Sequence, residues 1–314
     1  MARTRVVIDT DPGVDDAVAI LLALASPEIE VLALTTVAGN VSLEKTTLNA
    51  RRLLELAGRD DVLVAAGCAQ PLAGPSADAI EVHASEVHGS DGLGDLTWEE
   101  PKIALHALHA VDLLAELIGQ GPLTIVAIGP LTNLATLLER HPGIDRDVER
   151  VVLMGGASFE GNVTPAAEFN IWADPEAAQR ALGAQWPLTV MPLDLTRQAY
   201  LNDGDLEFLR GLGSEVGRRT ADILEPYAKF HDECYGNRNL VMHDAMAVYD
   251  VLDRSAITKQ AVAISVETGG EHSRGATWVD RRRIHADSRI EIGVHVDNEK
   301  FVALLRERFA TYSE

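Results

Sequence analysis

Short apolar runs at residues 5–9, 31–37, 62–65, 123–128, 151–154 and 188–191 alternate along this chain with stretches that carry apolar residues at helical spacing. Strands that are apolar throughout must be covered on both faces, and parallel neighbours need a long crossover between them. The stretches 16–25, 43–57, 106–118, 131–140 and 175–182 have the length for those crossovers. The alternation therefore predicts an α/β fold, an open and mostly parallel sheet flanked by helices. Asp174-Pro175-Glu176 reads as a helix start, with Asp as the cap, Pro at the first helical position and an acid in the first turn.

The later part is more helical, with candidate helices at 205–212, 214–230 and 243–251. Strands are expected near 261–267 and at 290–296, with a closing helix from Asn298. No linker, repeat or shift in composition divides the 314 residues, so one domain over 1–314 is expected. Residues 71–101, rich in Gly, Ser, His and Asp, are too long for an ordinary connection and read as surface or as an active-site loop.

Charge narrows the choice of partner. With a formal net charge of -21, the surface field repels polyanions, so neither nucleic acid nor an anionic membrane is expected, and a small neutral substrate fits better. The first residues run straight into the strand at 6–9 with no apolar run long enough for a secretory signal or a membrane span, so a cytoplasmic location is expected. Cys68 and Cys234 are far apart with no Cys-x-x-Cys spacing, and they read as two partly buried free thiols.

The most informative segment is Val6-Val7-Ile8-Asp9-Thr10-Asp11-Pro12-Gly13-Val14-Asp15-Asp16. It puts four carboxylates at the carboxyl end of a strand and the start of a helix, where open α/β sheets place their ligands. One or two such acids are ordinarily explained by a helix cap and a solvated turn. Four strain that explanation, because each pair of like charges ~4 Å apart costs on the order of 4 kcal/mol at an effective dielectric of 20. A helix terminus returns only ~0.3–1 kcal/mol per charge. The imbalance argues for a bound cation. An all-oxygen donor set without Cys or His selects a hard ion, calcium or magnesium.

The run from Asp9 to Ala17 resembles the N-terminal signature of the inosine-uridine nucleoside hydrolase family. Thr35-Thr36-Val37-Ala38-Gly39-Asn40, Gly129-Pro130-Leu131-Thr132-Asn133, Val152-Leu153-Met154-Gly155-Gly156, Glu168-Phe169-Asn170-Ile171 and His243-Asp244 are similar to further family segments in the same order. The resemblance implies the nucleoside hydrolase fold and cleavage by water of the N-ribosidic bond of ribonucleosides, with a place in nucleotide salvage and a homo-oligomer, dimer or tetramer. It further implies calcium held by Asp11, Asp16, Asp244 and the backbone carbonyl of Ile128, and a ribose held by Asp15, Asn40, Asn162, Glu168 and Asn170. Asp11 would remove a proton from water oriented by calcium, and His243 would protonate the departing base. Tyr227 and His231 match the region that closes over the substrate.

Taken singly, these residues have plainer explanations. Asn40 and Asn162, each after a glycine, read as turn residues. Asp244 reads as a helix cap, and Glu168 and Asn170 alternate with Phe169 and Ile171 as in a half-exposed strand. Part of the family carries His-x-His-Gly at the base pocket, where this chain has Glu86-Val87-His88-Gly89, so the preferred base is open. His83 and Arg281-Arg282-Arg283 read as surface features. Two rival functions remain: a magnesium-dependent phosphatase using Asp9 and Asp11, which the two further acids would hinder by repelling phosphate, and a non-catalytic nucleoside- or ribose-binding protein. A nucleoside phosphorylase would break the same bond, and an assay without phosphate separates it from a hydrolase.

Overall fold

The computed structural model describes residues 3–73 and 87–313. Its strands, in chain order, are β1 (Thr4–Thr10), β2 (Ile29–Thr36), β3 (Leu63–Ala66), β4 (Thr124–Ala127), β5 (Arg150–Met154), β6 (Leu188–Met191), β7 (Tyr200–Leu201), β8 (Leu240–Val241), β9 (Ile257–Ala261), β10 (Ala263–Val266), β11 (Thr277–Asp280) and β12 (Ile290–Val296). Eight of them form one sheet in the order β3-β2-β1-β4-β5-β6-β12-β9. Every pairing is parallel except β12 with β9 at the edge. The remaining four make two antiparallel ribbons, β7 with β8 and β10 with β11.

The sheet is buried on both faces, as its apolar runs require. Val6 and Ile8 of β1 pack into one core with Ile20 and Leu21, while Val7 between them points into the other with Ile125 and Leu134. Burial of each such side chain stabilises the fold by ~1.5–3 kcal/mol. The order of connection reverses between β1 and β4, and a crevice at the carboxyl ends of the strands is expected where the connections leave in opposite directions. Among the described residues no helix is long and apolar enough to cross a membrane.

Several expectations are corrected in detail. The helix expected at 16–25 is Val14–Leu24, which places Asp15 and Asp16 inside its first turn. The helix expected from 106 is Ala110–Gly119, capped by His109. The one expected at 214–230 runs on as Glu215–Tyr235, and the one expected from His243 is Ala245–Leu252. The strand near 261–267 is divided between β9 and β10. Phe169–Ala173 is a short helix, not a half-exposed strand. Its start explains the difference: the Glu168 side chain accepts from the backbone N–H groups of Asn170 and Ile171, which satisfies the orphan donors of a helix terminus. Cys68 is half-buried and free, but Cys234 is exposed. Arg281 is not a plain surface residue, since it donates to Ser158 Oγ at 2.9 Å. His83 and Glu86 lie outside the described residues.

Candidate active site

The loops after β1, β2 and β4 are tied together by the backbone. Val37 N–H donates to Thr10 O at 3.1 Å and Ile128 N–H to Asp9 O at 2.8 Å, which brings residues far apart in sequence around the acidic segment. Asp11 is fully buried. Its Oδ2 accepts from the Asn40 backbone N–H at 2.7 Å, and its Oδ1 has no hydrogen-bond partner among the described residues. Two glycines make room for this carboxylate. A Cβ on Gly129 would stand 2.6 Å from Oδ1, and one on Gly39 would overlap Oδ2.

Asp16 is held from three sides. Thr10 Oγ1 donates to Oδ1 at 2.5 Å, while Gly13 N–H at 2.9 Å and Asn40 Nδ2 at 3.1 Å donate to Oδ2. Because Gly13 has no side chain to cap the helix Val14–Leu24, the Asp16 carboxylate reaching back to Gly13 N–H is half of its start. Asn40 also donates to Asp11 O at 3.1 Å. It lies in the bend at 38–41, as a turn residue would, and its buried amide also braces the acidic segment. Asp244 does not cap the helix that it precedes. Its carboxylate turns to Asp15 and Asp16, and one oxygen from each of the three lies within 4.8 Å of the others.

Burying these groups together displaces their titration. Burial, and then the neighbouring carboxylates, raise Asp11 and Asp244 well above the ordinary range. Burial and Asp16 raise Asp15 to about 7. Burial raises Asp16 as well, against the hydrogen bonds from Thr10 and Gly13. A divalent cation would reverse this repulsion, and the residues present fit one. The donors are all oxygens, Asp11 Oδ1 is buried and has no partner among the described residues, and the Ile128 carbonyl accepts there from Asn170 Nδ2 alone, at 3.1 Å, which leaves it a second lone pair. The carboxylate triplet that converges within 4.8 Å among the described residues contains Asp15 where the sequence pointed to Asp11.

Over the cluster opens a cavity of about 930 Å³. Asp15, Asn40, Ile128 and Asp244 line it beside the cluster, whereas Asp11 and Asp16 form no part of its wall. Asn162, Glu168 and Asn170 line it from the segment after β5, Tyr227 and His231 from the helix Glu215–Tyr235, and His243 from the loop after β8. The structure thus gathers all twelve expected residues at one place, and Glu168, Asn162 and Asn170, like Asn40 and Asp16, also have structural work. Glu168 accepts N–H groups from Gly156, Asn170 and Ile171 at 2.8, 2.8 and 3.2 Å, and burial still holds it up to about 7. Asn162 Oδ1 accepts from Phe169 N–H at 2.9 Å. Asn170 Nδ2 donates to the Ile128 and Met154 carbonyls.

The His243 ring is buried, which lowers its pKa to about 3 with Arg197, His231 and His88 adding to the effect, and Nδ1 lies 2.7 Å from Thr196 Oγ1. His231 stands edge-on to Tyr227, 4.6 Å between ring centroids, and Tyr227 Oη donates to Val241 O at 3.3 Å. Sequence reasoning assigned no role to His88. Its Nδ1 accepts Val14 N–H at 3.1 Å, so the neutral ring carries its hydrogen on Nε2, and it lines the cavity. Its place in the 86–89 run was the available signal. Arg197, the one Arg or Lys among the described lining residues, had none.

The sheet, the acidic cluster at its switch point and the cavity above it define an α/β protein with a ligand-sized space beside a group of buried carboxylates. The chain belongs to the inosine-uridine preferring nucleoside hydrolase family, whose model matches residues 6–303. It hydrolyses the N-ribosidic bond of ribonucleosides. It is 40% identical over 312 residues to the pyrimidine-specific ribonucleoside hydrolase RihA of Shewanella woodyi, covering 98% of each chain. Its fold is similar to that of a plant nucleoside hydrolase, PpNRh1, at TM-score 0.93 and 36% identity, covering 98% of this chain and 99% of that one. It is also similar to a purine-preferring ribonucleoside hydrolase from Gardnerella vaginalis, at TM-score 0.93 and 30% identity over 99% of both. The phosphatase alternative finds no support. Asp9, its required nucleophile, is fully buried and accepts from Thr35 Oγ1 at 2.6 Å and Asn133 Nδ2 at 2.8 Å.

Proposed function

We propose that this enzyme is a calcium-dependent hydrolase of pyrimidine ribonucleosides, acting in cytoplasmic nucleotide salvage as a homo-oligomer. The observation that carries the cation is the unpartnered, buried Asp11 Oδ1 inside a cluster of acids. The base preference rests on RihA, named pyrimidine-specific, which is nearer in sequence to this chain than the purine-preferring Gardnerella enzyme. Asp11, Asp16, Asp244 and the Ile128 carbonyl would hold the ion. Bound there, calcium would offset the carboxylate repulsion, polarise a water molecule and engage the ribose diol.

The chain's own groups then divide the work. Asp15 and Asn170 orient the ribose hydroxyls, with Asn40, Asn162 and Glu168 bracing that side of the site. Asp11 accepts a proton as the water oxygen bonds to C1′. The C1′–N bond breaks with its electron pair leaving on the base, and His243 delivers a proton to that pair. Burial keeps the free imidazole neutral, so His243 takes up a proton from solvent in the substrate complex, favoured by the negative charge gathering on the base, and passes a proton from Nε2 to it, ending neutral. Tyr227 and His231 cover the base and exclude water.

The test is a panel of ribonucleosides in phosphate-free buffer with calcium, scored by free ribose. Uridine and cytidine should release ribose faster than inosine. Release of ribose from no member would overturn the activity, and a preference for inosine would overturn the proposed base.

A further inference from the structure

We propose that Thr196 is a positioning residue for departure of the base, holding His243 in the plane from which its other ring nitrogen meets the substrate. This rests on the proposed role of His243. Thr196 is fully buried at the end of the helix Leu193–Thr196, which follows β6. Its hydroxyl lies 2.7 Å from His243 Nδ1 and bonds to no other group among the described residues. A buried hydroxyl with one partner and no helix to cap has little structural use beyond that partner.

The surrounding backbone is arranged to make this contact. Thr196 and His243 are 47 positions apart. The ribbon of β7 with β8 pairs Tyr200 with Val241 and Leu201 with Leu240, and Met242 N–H donates to Ala199 O at 2.9 Å. Those bonds carry the two residues past each other in fixed register. With Nδ1 engaged, Nε2 is the nitrogen left to the cavity that His243 lines.

A threonine hydroxyl suits a ring that gives up and regains a proton. Transfer from Nε2 leaves the hydrogen on Nδ1 in place, so the Thr196 hydroxyl oxygen accepts from Nδ1–H before and after it, and the hydroxyl can donate instead when the free neutral ring carries its hydrogen on Nε2. A backbone carbonyl, which can only accept, would hold only the forms with a hydrogen on Nδ1. Freed of this contact, the ring turns about its side-chain torsions, and misplacement of a catalytic group by about 1 Å costs up to ~10²-fold in rate.

The experiment compares Thr196→Val, Thr196→Ser and His243→Ala on uridine and on p-nitrophenyl riboside, whose leaving group departs as a stabilised anion and needs no proton. Thr196→Val should lower kcat on uridine by ~10–10²-fold with KM little changed, keep most of its rate on the activated substrate, and melt near the parent temperature. Thr196→Ser should restore the uridine rate. Equal loss on both substrates in Thr196→Val, or failure of Thr196→Ser to recover, would overturn the inference. So would full uridine activity in Thr196→Val where His243→Ala shows the selective loss. Equal losses on the two substrates in His243→Ala would instead overturn the role of His243, and the positioning role with it.

Discussion

The backbone N–H of Asn40 donates to Asp11 Oδ2 at 2.7 Å, while Oδ1 of the same buried carboxylate has no partner among the described residues. One oxygen is fixed and the other is left for a ligand. Removing calcium with a strong chelator should therefore abolish activity and lower the melting temperature, since an ion bound only by the folded state stabilises it by mass action. Asp11→Ala should be nearly inactive, and Asp244→Ala should weaken calcium binding measured by calorimetry. Full activity with no bound ion would sink this assignment.

The titration of the cluster gives that stabilisation a pH dependence. Asp15 and Glu168 are held up to about 7, and Asp11 and Asp244 are raised well above the ordinary carboxylate range, all chiefly by burial. A carboxyl with a raised folded pKa binds its proton more tightly when folded, so its contribution is full below pH ~4 and is lost as pH rises through the folded value. The metal-free protein should lose this contribution between pH ~4 and about 7. Calcium bound as proposed would displace the cluster's protons, so the gain in melting temperature on adding it should widen with pH over that window. A calcium-induced shift of equal size at both ends would contradict the titration.

How much of this was legible in sequence follows from the length scale of each signal. The strand β1 and its acids were readable because an apolar run and four carboxylates fall within one short segment. Asn40 was not, since its amide acts on Asp11 and Asp16, 29 and 24 positions away, and alone it has the appearance of a turn. The helix Phe169–Ala173 was missed because one turn is too short to tell a period of 3.6 from a period of 2. Here the Glu168 cap decides. The two-residue strands β7 and β8 leave no pattern at all, and with them the pairing of Thr196 with His243 was invisible.

Recognition of the sugar should be strict. Asp15 and Asn170 line the cavity beside the cluster, and a substrate lacking one ribose hydroxyl would leave buried polar groups unpaired. Such a loss reaches ~10⁴-fold in specificity at sites built to hydrogen-bond a hydroxyl. Uridine should exceed 2′-deoxyuridine by that order in kcat/KM. Similar values for the two would mean that Asp15 and Asn170 face another part of the substrate.

Gly129 offers a test of the site that leaves every proposed catalytic side chain in place. A Cβ there would stand 2.6 Å from Asp11 Oδ1, closer than non-bonded atoms approach, and Gly129 directly follows the Ile128 carbonyl. Its backbone is not in the left-handed region, so alanine adds a steric demand without conformational strain. The carboxylate must move, and it has nowhere to go on the Gly39 side, where a narrow gap already holds Oδ2. Gly129→Ala should therefore cut kcat/KM by ~10²-fold through displacement of Asp11 and weaken calcium binding in parallel. Gly119→Ala is the control. It ends the helix Ala110–Gly119, and a Cβ there meets nothing within 4 Å, so activity should hold and stability should rise by up to ~1 kcal/mol. Wild-type calcium affinity and turnover in Gly129→Ala would show that Asp11 is not confined between these two glycines.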